Sequence, residues 1–116
     1  MTNKRTDRRK YQRVTPKRDN PVRVDINGEN FLDVLYALDI SENGISISVP
    51  YAFEGCRIDK GVQIVVELPS PVKKYFTANG RIRRISGSTF GVEFVGLKEK
   101  DSHVIKEYIS SQIGNN

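Results

Sequence analysis

Val22-Arg23-Val24-Asp25-Ile26-Asn27-Gly28 decides how this chain is read. Val22, Val24 and Ile26 alternate with Arg23 and Asp25, a period of two that suits a half-buried strand and no helix. Asn27-Gly28 is a strong hairpin signal, because the tightest hairpin turns need positive φ at both central residues. The chain should therefore double back into a second strand from about Asn30 to Asp39. Phe31, Val34, Tyr36 and Leu38 make its alternation imperfect, and Leu32 and Leu35 leave room for a bulge or a buried stretch.

The same period continues downstream. A third strand is expected over Ile45 to Val49, with Ile45, Ile47 and Val49 on one face and Ser46 and Ser48 on the other. Residues 50–61 read as a loop, followed by a β-branched fourth strand from Val62 to Leu68 that Pro69 and Pro71 end. A fifth strand runs from Phe76 to Ile85, with Ala78, Gly80, Ile82 and Arg84 on alternate positions. Ser86-Gly87-Ser88 turns the chain into a sixth, Thr89 to Val95, alternating through Phe90, Val92 and Phe94. Only the end reads as helix. From Asp101 or Ser102 to about Ile113, the residues Val104, Ile105, Tyr108 and Ile109 form one apolar stripe, with a cap at its start and Gly114 to stop it. The expected fold is all-β: a six-stranded antiparallel barrel, whose closure removes exposed edges, with a C-terminal α-helix over an open end or beside the wall.

With 116 residues there is room for one modest core. Residues 1–20 read as a flexible basic arm, 21–113 as the barrel with its helix, and 114–116 as a tail. The net charge is +5, and much of the excess lies in the arm. There Lys4, Arg5, Arg8, Arg9, Lys10, Arg13, Lys17 and Arg18 face only Asp7 and Asp19. Such an arm seeks an anionic partner, whether nucleic acid, a nucleotide or an acidic membrane surface, or serves merely as a solubilising tail. No apolar stretch approaches the roughly 20 residues that span a bilayer, and the N-terminus lacks the apolar core of a secretory signal. The expected location is the cytoplasm and the expected state a monomer. Cys56 has no second thiol to pair with, and His103, the one histidine, supports no histidine-based metal site. With no phosphate loop, dinucleotide fingerprint or nucleophile elbow, the chain is not read as an enzyme, and no cofactor is expected.

Two polar segments flank the first strands. In Arg8-Arg9-Lys10-Tyr11-Gln12-Arg13, the residues Arg9 and Arg13 stand four apart and meet on one face if the arm coils locally. Guanidinium groups fork onto phosphate oxygens or onto the O6/N7 edge of guanine, and they stack on bases. Arg8 lies beside them, and Tyr11 could stack on a base or tuck against the barrel. In Asp39-Ile40-Ser41-Glu42-Asn43-Gly44, Asp39 can accept from guanine N–H groups. Ser41 can donate to a ligand or hold the turn, and Gly44 can adopt positive φ. An ordinary turn would use the same residues. Arg81 and Arg83, expected on one face of the fifth strand with Arg84 on the other, are further candidates for a ligand surface or simply a solvated face.

Taken together, Arg9-Lys-Tyr-Gln-Arg13 and Asp39-Ile-Ser41-Glu-Asn-Gly44 resemble the two motifs of the PilZ family, the bacterial receptors for cyclic di-GMP. Gly91-Val-Glu-Phe94 resembles that family's late strand and Ile105 to Ile109 its terminal helix, so the likeness covers residues 8 to about 110. The resemblance implies a barrel whose arm wraps cyclic di-GMP. Arg9 and Arg13 would hold guanine and phosphate, Asp39 and Ser41 would read a guanine edge, and Gly44 would shape the turn. An arginine at the position of Arg8 goes, in relatives, with an intercalated ligand dimer. The output would pass through an unidentified downstream protein. The rival readings are a small barrel binding single-stranded nucleic acid through its basic arm, and a ligand-free interaction module. Against the first, the strands lack a patch of interleaved aromatics; against the second, both motifs are complete.

Overall fold

The computed structural model describes residues 12–28, 31–49 and 57–113. Within them the chain forms β1 (Arg23–Gly28), β2 (Phe31–Ser41), β3 (Gly44–Ser48), β4 (Gly61–Glu67), β5 (Tyr75–Ser86), β6 (Thr89–Val95) and α1 (Glu99–Ile113). The strands close into a barrel in the order β1-β2-β3-β6-β5-β4, with every neighbouring pair antiparallel. Asn27 and Gly28 still pair with Leu32 and Phe31, so this hairpin turns beyond them, outside the described residues. β6 has its expected bounds, Thr89–Val95, and the remaining strand boundaries shift by one or two residues from those expected.

Alternation does the rest. Val24 and Ile26, Val62, Ile64 and Val66, Phe76, Ala78 and Ile82, and Phe90, Val92 and Phe94 all point inward. Phe76 and Phe94 meet edge-to-face at 5.8 Å, the arrangement aromatic quadrupoles favour. Two strands break the period. β2 bulges between Ala37 and Asp39, and β5 between Ile82 and Arg84. Each bulge inserts one residue and so resets which face the following side chain takes.

The helix begins at Glu99, two or three residues before the expected start at Asp101 or Ser102. Glu99 and Asp101 in its first turn suit the positive end of the helix dipole. Ile105 and Tyr108 are fully buried in the barrel core, with Val104 and Ile109 packed at its margin. Lys74, just before β5, pairs with Glu107 at 3.1 Å, and Lys106 lies 3.4 Å from Glu42 in the β2–β3 turn. Both partners sit at the barrel end where β6 finishes, so α1 covers that end rather than standing off the wall.

Residues 12–20 were expected within a flexible arm, but they lie against the barrel. Val14 and Ile40 exchange two backbone hydrogen bonds, of 2.9 and 3.0 Å, where β2 has run past the end of β1. Val14 is buried. Burying a valine side chain is worth about 1.5–3 kcal/mol, against about 1–2 kcal/mol for fixing a residue's backbone. The burial of Val14 thus offsets the ordering of its own backbone, where the segment meets β2. Residues 1–11, the 50–56 part of the loop and the tail 114–116 lie outside the described residues.

Candidate ligand site

Seating Val14 carries Arg13 to the end of β2. Its Nη1 donates to Asp39 Oδ1 at 2.9 Å, joining one residue of each sequence motif. The side chains are 36% and 28% exposed, so both still face solvent and a ligand could reach them. The bulge in β2 explains why Asp39 is available at all. Ala37 and Ile40 point inward, while Leu38 and Asp39 both turn outward. Unbroken alternation would have placed Asp39 on the face of Ala37, in the core.

Ser41 is fully buried. Its hydroxyl donates to Asn43 Oδ1 at 2.6 Å and accepts from the Asn43 backbone N–H at 3.3 Å. These bonds tie Ser41 to Asn43 across the turn. Gly44 does not have positive φ; positive φ occurs at Gly87 and Gly96 among the described glycines. Its requirement is proximity instead. A Cβ at Gly44 would stand 2.6 Å from the Val92 carbonyl oxygen of β6, so only glycine lets β3 and β6 approach this closely.

Beside this turn an open cleft of about 240 Å³ lies on the outer wall across β3, β6 and β5. Gly44, Ser46 and Gly91 give it a floor of small residues, and Arg13, Arg83 and Arg84 bring three guanidinium groups to it. Asp39 borders it, paired in register with Ser46. Arg83 is occupied: its Nε donates to Glu93 at 2.7 Å and its Nη1 to Asp59 at 2.6 Å. The hydrogen bond to Glu93, then the bond to Asp59 and both carboxylate charges, push its pKa up from the usual arginine value. Arg84 lies over Gly91 and has no ion pair among the described residues.

The fifth-strand arginines are therefore not arranged as alternation suggests. Arg83 and Arg84 reach the cleft together because the β5 bulge turns both outward, whereas Arg81 lines a separate groove with Asn27, Gln63 and Asn79. Arg84, Glu93, Ser46 and Gly91 belong to the site, and sequence reasoning did not select them. The signal for Arg84 was the improbability of an arginine continuing the inward row of Ala78, Gly80 and Ile82. Arg8, Arg9 and Tyr11 lie outside the described residues. His103 is on the helix surface, 3.8 Å from Glu99.

The turn is also tied to the helix. Glu42, between Ser41 and Asn43, accepts from Ser102 Oγ at 3.0 Å and lies 3.4 Å from Lys106 Nζ.

A closed six-stranded barrel with a basic segment laid across its wall, and an arginine–carboxylate cleft where they meet, defines the class: a small antiparallel β-barrel module capped by one helix. The PilZ domain model matches residues 7–111, and the chain belongs to that family. Among solved structures, the Bacillus subtilis inhibitor of motility MotI/DgrA is similar at TM-score 0.76 and 17% identity, covering 94% of this chain and 53% of that one. The PilZ domain of YcgR from Escherichia coli, solved with c-di-GMP, is similar at TM-score 0.76 and 16% identity, covering 93% of both chains. The K. pneumonia MrkH–c-di-GMP complex is similar at TM-score 0.74 and 13% identity, covering 92% of this chain and 53% of that one. The chain thus spans about half of MotI/DgrA and of MrkH. Comparison with curated proteins finds no match. No helix among the described residues is long and apolar enough to cross a membrane.

Proposed function

We propose that this domain is a non-catalytic receptor for cyclic di-GMP that orders its arm on binding and signals through a partner protein. The observation that carries the reading is the meeting of Arg13 with Asp39 at 2.9 Å beside a cleft that also holds Arg84. A guanine presents two N–H donors to a carboxylate and an acceptor edge to a guanidinium, and the diphosphate ring needs further cations. Arg13 and Asp39 meet both demands, with Ser41 and Gly44 fixing the turn that presents them. The likeness of the wall to the E. coli domain solved with c-di-GMP supports the same ligand.

On this reading residues 1–20 are the ligand-wrapping arm, 21–113 the barrel with its helix and 114–116 a tail. Arg9 and Arg13 hold guanine and phosphate. Arg8 favours an intercalated pair of ligands, because a stacked pair concentrates four negative charges that need dense positive charge. Arg83, held by two carboxylates, contributes mainly by shaping the cleft wall, and Tyr11 and Arg81 are secondary. The ligand is a diffusible cytoplasmic messenger, so the receptor works in the cytoplasm, as a monomer. Part of the contact energy goes into ordering the arm, and that ordering changes the surface a partner meets.

Calorimetric titration with cyclic di-GMP, with cyclic di-AMP and GTP as controls, tests this. Saturable binding selective for cyclic di-GMP is expected, at two ligands per chain. One ligand per chain keeps the receptor and discards the intercalated pair. Absence of binding by folded, ligand-free protein, or binding indifferent to base and steeply weakened by salt, overturns the reading in favour of a nucleic-acid-binding barrel or a ligand-free interaction module.

A further inference from the structure

Val34, Tyr36 and Leu38 face outward along β2, at 44%, 52% and 43% exposure. A barrel wall that faces water ordinarily carries polar side chains there. The two strands beside β2 do: Arg23, Asp25 and Asn27 point outward on β1, and Ser46 and Ser48 on β3. Three apolar residues in a row are a different surface. Tyr36 also floors a groove of about 370 Å³ whose walls come from the seated arm: Pro16, Lys17, Arg18 and Pro21. No carboxylate lines it, and Lys17 and Arg18 form no ion pair among the described residues.

We propose that this groove and the adjoining β2 face dock a segment of a partner protein in which apolar side chains are flanked by Asp or Glu. The apolar positions would cover Tyr36 and Val34, and the carboxylates would meet Lys17 and Arg18. Charge rules out the nearest alternatives. Residues 1–11 of this chain bring Lys4, Arg5, Arg8, Arg9 and Lys10 against one aspartate, so they repel the groove's cations. A second copy carries the same net charge of +5, so like charges oppose its approach to the groove's cations. A membrane surface would gain only about 1 kcal/mol from each of two lysine or arginine charges, and it cannot enter a concave groove.

The surface is continuous with the candidate ligand site. Leu38 precedes Asp39, and the segment that carries Arg13 continues into Pro16, Lys17 and Arg18. A ligand that draws Arg13 away from Asp39 therefore acts on the groove's wall. The inference rests on the proposed function in one respect, that the receptor signals through a partner; docking itself needs no nucleotide.

The test is selection of phage-displayed random peptides on the full chain, with enriched peptides synthesised and titrated by fluorescence polarisation. Enriched peptides should be net acidic with at least two large apolar residues. Tyr36→Thr, or Val34→Thr where the first variant does not fold, should weaken binding about fivefold or more, and Lys17→Glu with Arg18→Glu should do the same. Failure to enrich, enrichment of neutral or basic peptides, or a smaller loss in these variants overturns the proposal. So do a dimer that Tyr36→Thr dissolves and Tyr36-dependent binding to phosphatidylcholine–phosphatidylserine vesicles. Cyclic di-GMP titration of the same proteins keeps the two readings apart. Peptide docking without nucleotide binding sinks the receptor and leaves the groove; nucleotide binding without peptide docking does the reverse.

Discussion

Arg13 and Asp39 lie 26 positions apart in sequence, yet they share a hydrogen bond of 2.9 Å across the junction of arm and barrel. Before any ligand arrives, each satisfies the other. The pair is partly exposed, and such pairs contribute about 0–1 kcal/mol to stability. Arg13→Ala should therefore change the urea midpoint little while lowering affinity for cyclic di-GMP at least about tenfold, since losing a charge-assisted contact costs a few kcal/mol. Asp39→Asn, which preserves shape, should weaken binding in the same direction. Calorimetry beside urea denaturation separates the two effects, and affinity within twofold of the parent for both variants would remove these residues from the site.

Two glycines of the cleft floor should respond differently to alanine. At Gly44 the added methyl would sit 2.6 Å from a backbone carbonyl, which cannot move without parting β3 from β6. Overpacking of this kind costs about 1–3 kcal/mol. At Gly91 the methyl would meet Arg84 Cβ at 3.3 Å, a contact that a shift of a few tenths of an ångström relieves. Gly44→Ala should lower the melting temperature by several degrees, whereas Gly91→Ala should keep it and instead reduce ligand affinity by displacing Arg84. A Gly44→Ala protein that melts like the parent would contradict the close approach of these strands.

Arg83 and Arg84 are adjacent in sequence but unequal in the cleft. Arg84→Ala should weaken cyclic di-GMP binding severalfold with no loss of stability, because its guanidinium has no ion pair among the described residues to lose. Arg83→Ala should also weaken binding, but for another reason: it frees Glu93, whose carboxylate then faces an anionic ligand uncompensated. Glu93→Gln added to Arg83→Ala should recover most of that loss. A double-mutant cycle reads the coupling, and additive effects would mean that Arg83 contacts the ligand itself.

How far the sequence could be read follows from these residues. Strands β4 and β6 were legible because Val62, Ile64 and Val66, and Phe90, Val92 and Phe94, keep one face without interruption. Two motifs, of five and six residues, marked Arg13 and Asp39. What stayed hidden depended on distant partners. A bulge is set by the neighbouring strand's register, so the outward turns of Asp39 and Arg84 could not be counted along the chain. Gly44 announces a turn in sequence, but the constraint on it comes from Val92. The tie from Glu42 to Ser102 joins residues 60 positions apart, beyond the reach of local pattern.

Tyr108 is fully buried on the core face of α1, and its hydroxyl has no hydrogen-bond partner among the described residues. A buried polar group left unsatisfied costs about 1–3 kcal/mol, whereas its apolar isostere costs nothing comparable. Tyr108→Phe should thus leave the protein as stable as the parent or raise its melting temperature. Burial also pushes the phenol pKa above its ordinary value near 10. Raised in the folded state, the group keeps its proton there after the unfolded chain has begun to lose it. Stability is therefore full below about pH 10 and falls as pH rises from the unfolded pKa towards the folded one. Urea denaturation between neutral pH and pH 11 should show the parent losing stability above pH 10 more steeply than Tyr108→Phe. Equal slopes, or a variant destabilised at neutral pH, would mean that the hydroxyl is hydrogen-bonded after all.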